Sequence, residues 1–200
     1  MTAPAAASAP GAPPGAPKRL PPPPYLSVIR AIDRTMAWSA ALFTLLLVPL
    51  ILSNAVEVFM RYVLGKPTAW ALEVNVMSFG ALFMLGAAFA LLKGAHVRTD
   101  MFWERFSERT KGIIDSVTYL LLFLPTMGLL LYISWGELVY AWSINERSNL
   151  TPWQPPLWPL RAVVPLTALL LFVQGVSEVL KALWAARTGQ ALVHHEKIEI

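Results

Sequence analysis

Four stretches of this chain contain no Asp, Glu, Lys or Arg: Thr35 to Val56, Val74 to Leu92, Ser116 to Gly136 and Ala162 to Ser177. A helix that crosses a bilayer needs about 20 mostly apolar residues, so the first three qualify unaided. The fourth reaches that length by extending back to Trp158 and forward to Leu180, which leaves Arg161 and Glu178 near the two interfaces. Hydrophobic residues make up 56% of the chain and charged residues only 14%, against about 25% charged in soluble domains. The missing charge is concentrated in the four runs, as lipid rather than a water-facing surface requires.

The expected fold is an all-α integral membrane protein with four transmembrane helices, spanning about 36–60, 70–92, 113–136 and 158–180 within a membrane domain of residues 25–187. Residues 1–24 hold nine prolines among alanines and glycines and read as a disordered tail, and residues 188–200 as a second tail. Ser53-Asn54-Ala55 has the small-x-small spacing of a secretion cleavage site. Its apolar run is too long for a signal core of about 7–15 residues, so the first run is read as an uncleaved span.

Lys and Arg outside the spans set the orientation. With the N-terminus inside, the tails and the second loop place twelve of them in the cytoplasm, and the first and third loops place four outside. That bias predicts both ends in the cytoplasm. Trp38, Trp103 and Trp184 then mark the inner boundary, and Trp70, Trp135, Trp142, Trp153 and Trp158 the outer one, where indole rings prefer to lie. The Pro-rich stretch Thr151 to Pro159 reads as an outer loop on the membrane surface. Basic residues that flank spans fit lipid headgroups, and no nucleic-acid partner is expected.

Between the second and third spans, Asp100 to Gly112 gathers Met101, Phe102, Trp103 and Phe106 on one side and Glu104, Arg105, Glu108 and Arg109 on the other. This predicts a short amphipathic interfacial helix with Asp100 as its N-cap.

The chemistry-bearing residues avoid the spans. There are no cysteines, and His96, His194 and His195 all fall in cytoplasmic segments. Facing axial histidines for a haem, a buried catalytic base and a metal-ligand set are therefore all missing, and no cofactor, metal or enzymatic site is expected. Glu57 and Arg61 are four apart and share a helix face. Glu73 lies one turn into the second span, Asp115 begins the third and Glu178 ends the fourth. These charges read as interfacial anchors; the sharper alternative is that Arg61 and Glu73 pin two helix ends together or touch another subunit. Gly86, Ala90 and Gly94 form a smooth stripe that allows close helix approach. Pro49, Pro125 and Pro165 are candidate kinks. A membrane bundle without an internal site reads as a subunit of something larger.

The run Arg61-Tyr62-Val63-Leu64-Gly65-Lys66-Pro67-Thr68-Ala69-Trp70, followed by Glu73, resembles the first outer loop of small membrane subunits of tripartite ATP-independent periplasmic (TRAP) transporters, the DctQ-like family. Gly86-Ala87-Ala88-Phe89-Ala90 and Lys93-Gly94-Ala95-His96-Val97-Arg98-Thr99-Asp100 are similar to that family's glycine-to-His-x-x-x-Asp stretch. Gly136, the Pro-rich loop, Pro165 and Gln174 fall where family members place similar residues. The resemblance runs from about residue 28 to 185; one departure is the lone Glu73 after Leu72, where members often have two acidic residues.

The resemblance implies a non-enzymatic small permease subunit in the bacterial inner membrane. It would scaffold a large membrane subunit that imports an organic acid, delivered by a periplasmic solute-binding protein and driven by an ion gradient. Arg61, Trp70, Glu73, His96 and Asp100 would then stabilise helix ends or subunit contacts. The competing readings are a self-sufficient four-helix carrier acting as a homodimer, with Glu57 or Glu73 as its coupling acid, and a membrane assembly factor.

Overall fold

The computed structural model describes residues 22–93 and 107–189. Among these residues the chain forms α1 (Pro23–Thr44), α2 (Leu47–Tyr62), α3 (Ala71–Leu92), α4 (Glu108–Thr118), a π-helical turn (Tyr119–Phe123), α5 (Leu124–Ser143) and α6 (Trp158–Thr188). Together they make four rods long and apolar enough to cross a membrane: Pro24–Tyr62, Ala71–Leu92, Arg109–Ser143 and Trp158–Thr188. Most of the N-terminal tail, Gly94, His96, Asp100, most of the expected interfacial helix and residues 190–200 lie outside the described residues.

Two of the three span prolines articulate the rods, each through the amide hydrogen it lacks. Pro49 cannot bond the Leu45 carbonyl, and α1 breaks from α2 there. The orphan carbonyl accepts instead from Val48 N at 3.0 Å, while Leu45 N and Leu46 N bond Leu42 O and Phe43 O. Pro125 stands just after the π-helical turn, where Leu124 N reaches back to Tyr119 O. Pro165 is absorbed, and α6 runs through it for 31 residues. Prolines also open α1. Pro23 and Pro24 occupy its first turn, where no amide is needed, so the helix begins inside the segment expected to be disordered.

The third rod also starts differently from the sequence expectation. Ser107 accepts a hydrogen bond from Thr110 N at 3.3 Å and caps α4. Residues 108–112, expected to end the interfacial helix, are therefore the first turn of the third rod.

α6 is the hub: α5, α4, α3 and α1 all pack on it. Half of its most apolar window is buried inside the protein, against 6% for the first and third rods. Those outer rods turn Ile51, Leu52, Phe59, Leu121, Leu122 and Leu129 outward, which suits a lipid surround. Met36, Ala88, Leu91 and Leu171 form the core where α1, α3 and α6 meet, with Tyr119 and Phe123 of the π turn against it.

Two glycines allow the closest approaches. A Cβ on Gly112 would stand 2.4 Å from Ala186 N and 2.8 Å from Ala182 O, so α4 lies directly on the α6 backbone. One on Gly175 would meet the Phe123 ring at 2.7 Å. Of the expected stripe, Gly86 makes no such approach within this chain, and Gly94 lies outside the described residues. Nothing stands within 4 Å of a Cβ on Gly86, which lines an open apolar cleft between α1 and α3 with Ala37, Ala40 and Ala41. Ala90 is half-buried. The tight contacts sit where a helix passes over the hub, and span-by-span spacing does not reveal that crossing.

Candidate functional site: polar joints at the two ends of the bundle

The polar side chains collect into joints at opposite ends of the rods. At the end where α6 finishes, Asp33 of α1 faces a stripe on α6 made by Gln174, Ser177, Glu178 and Lys181. Asp33 Oδ1 accepts from Gln174 Nε2 at 3.2 Å, Ser177 Oγ at 3.0 Å and Lys181 Nζ at 3.1 Å. The ammonium also lies 2.9 Å from Asp33 Oδ2 and 2.9 Å from Glu178 Oε1. Gln174 Nε2 completes the network by donating to Glu178 Oε1 at 3.0 Å. Gln174 and Ser177 are fully buried, Glu178 and Lys181 are buried, and Asp33 is a quarter exposed. Tyr25 closes the top, donating to the Leu180 carbonyl with its ring against Trp184.

This joint corrects the expectation that no charge is buried in the bundle. Glu178 and Lys181 were expected at an interface and in a tail. α6 continues well past that point, and α1 covers it. Protein rather than lipid encloses the charges, so each must be paired. The signal was readable in part: positions 174, 177, 178 and 181 recur at three and four residues on one helix face. Nothing local identified Asp33 as their partner.

At the other end the joints are more exposed. Arg61 Nε donates to Glu57 Oε1 at 2.9 Å, the i,i+4 pair expected from spacing. The other Glu57 oxygen accepts from Thr68 N at 2.8 Å and from the Thr68 hydroxyl, which folds the first loop back onto α2. Asn54 and Asn75 exchange amide hydrogen bonds at 2.9 and 3.0 Å between α2 and α3, and Ser53 adds a third at 2.6 Å.

Glu73 is only 1% exposed and accepts from Thr151 Oγ1 at 3.0 Å, which ties α3 to the loop between α5 and α6. Arg61 and Glu73 do not pair with each other. Arg61 is engaged on its own helix, and the loop reaches Glu73 first. Trp70 stands at the N-cap of α3 and is about a third exposed.

The loop itself is compact. An isolated bridge pairs Arg147 with Pro156, Ser148 N bonds Pro155 O at 2.9 Å, and Leu157 N bonds Glu146 O at 2.9 Å. Asn145 and Gln154 take positive φ at its bends. Arg161 holds Glu146 at 2.9 Å and approaches Glu137 at 3.6 Å. Trp142 and Trp158 meet edge to face, 4.9 Å between centroids. Among the described residues no group of three or more histidine or acidic side chains is arranged to hold a metal ion.

Every joint described here closes protein on protein, and none opens a path. The family profile of tripartite ATP-independent periplasmic transporters, DctQ component, matches residues 50–184. The chain belongs to this family. It is a multi-pass membrane protein and the small component of a TRAP transporter. Comparison with curated proteins and with solved structures finds no match. The matched segment of this DctQ-family chain contains the whole α6 stripe and both partners of the Glu73–Thr151 bond. It begins after α1, so Asp33 lies outside it.

Proposed function

We propose that this chain is a fixed scaffold in the bacterial inner membrane, with both termini in the cytoplasm. In this reading it packs beside the large membrane subunit of its transporter. That subunit imports an organic acid, received from a periplasmic binding protein and driven by an ion gradient. The observation that carries the reading is the family match over residues 50–184. Support also comes from the joints, which spend the polar side chains on holding helices together, and from the apolar outer faces of α2 and α5, which leave room for a membrane partner.

The test is co-expression with a large TRAP membrane subunit from the same genome. The two copurify from detergent, and vesicles holding both, with the binding protein, take up solute. Uptake by vesicles holding this chain alone would sink the scaffold reading. The chain has no cysteines, so orientation can be tested directly. A membrane-impermeant maleimide labels Asn149→Cys from outside the inner membrane, and labels Arg187→Cys only after permeabilisation.

One observation favours a self-sufficient carrier, namely the burial of a carboxylate, Glu73, in a membrane helix. The Thr151 hydroxyl accounts for it as a loop anchor. Glu73→Gln that assembles normally yet abolishes uptake would move the reading to the carrier.

A further inference from the structure

We propose that the Asp33 joint sets the register of α1 on α6 through directional hydrogen bonds to one oxygen, and adds no net stability. Beyond the Tyr25 contact with Leu180 and Trp184 near its start, three features of α1 leave its position loosely specified. At Leu45–Leu46 the bonding of the first rod changes to i→i+3 contacts, so the lipid-facing α2 holds α1 less rigidly than an unbroken α-helix would. Over its middle turns it lines the cleft toward α3 with alanine, Ala37, Ala40 and Ala41, and only further on does Phe43 pack against a core. Small residues pack acceptably in several registers. Its deepest core residue is Met36, whose flexible side chain refills a displaced site more readily than a branched one. A slip of one residue moves α1 by about 1.5 Å and turns it by about 100°, which apolar contacts of this kind penalise weakly.

The joint does not tolerate such a slip. Donors from three positions spread over two turns of α6 converge on the single atom Asp33 Oδ1. A one-residue slip turns that oxygen away and leaves Lys181 with Glu178 alone. The same joint is a poor source of net stability. It encloses two carboxylates with one ammonium, and Gln174 Oε1 is buried without a partner among the described residues. Desolvating ions offsets their attraction, so buried charge networks are better at choosing one arrangement than at stabilising it.

Asp33→Leu separates the two effects. It removes the contribution of α1 and leaves Lys181 paired with Glu178 on α6, so no buried charge loses its only partner. Spin labels on Val28→Cys and Leu183→Cys, both exposed, report the α1–α6 distance in the full chain in lipid nanodiscs, on an otherwise cysteine-free background. The parent gives one narrow distance. Asp33→Leu is expected to lose that single peak, its distribution broadening or splitting, while its thermal midpoint stays at or above the parent's. Asp33→Asn keeps Oδ1 for all three donors while losing the second Lys181 contact at Oδ2, and is expected to retain the single peak.

The proposal is overturned if Asp33→Leu lowers the midpoint as far as Lys181→Met does or fails to accumulate, which would make the joint a stabilising clamp. It is overturned equally if Asp33→Leu keeps one narrow distance, because packing then sets the register, or if Asp33→Asn broadens, because net charge alone then acts. None of these outcomes depends on the large subunit, so the scaffold reading stands or falls separately.

Discussion

The cations at the two ends of the bundle, Lys181 and Arg61, use the same chemistry with opposite exposure. At the α6 C-terminal end, Lys181 is 9% exposed and bridges two carboxylates between helices far apart in sequence. At the other end, Arg61 is 56% exposed and pairs with a carboxylate one turn away on its own helix. An ion pair is worth what its surroundings make of it. In water the attraction is screened and the charges lose little when separated; inside protein each becomes costly once its partner is gone.

The sharpest way to break the comparison is to delete one cation from each end. Lys181→Met leaves Asp33 and Glu178 facing each other without a counter-charge, and should cost about 3–5 kcal/mol, read as the largest fall in thermal midpoint in detergent. Arg61→Ala is the control at the far end. Glu57 keeps both bonds from Thr68, so the midpoint should move least of all the variants here, and raising the salt concentration should shrink the shift further. A fall in Arg61→Ala equal to that in Lys181→Met would erase the distinction between the ends.

Two substitutions fall between these limits. Gly112→Val drives a side chain into the α6 backbone at Ala186 and should cost about 3 kcal/mol, the upper range of overpacking, seen as loss of folded protein by size exclusion. The same change at Gly86 meets open space and should be tolerated, which tests whether the cleft is open in the isolated chain. Thr151→Val strips Glu73 of its donor and should cost about 1–2 kcal/mol, with faster proteolysis of the loop between α5 and α6 as the local readout.

How far the sequence spoke differs residue by residue. The Glu57–Arg61 pair was legible because four residues along a helix is one turn, whatever the helix packs against. Pro49 and Pro125 were legible as candidate kinks because a missing amide is a local fact. The partner of Glu73 was not, since Thr151 approaches from a loop far along the chain. Asp33 was less visible still: one acidic residue in a basic flank, beside what looked like the end of a disordered tail.

By itself the sequence determined the number of spans and the absence of charge from their middles, because lipid imposes those conditions on each helix separately. It also carried the family, through the order and spacing of its loop residues. Only the tertiary structure decided which rod is the hub, which glycines touch a neighbour and which charges are enclosed. Those depend on which helices cross and on how far each runs past the apolar segment that announces it, and composition within one span does not encode either.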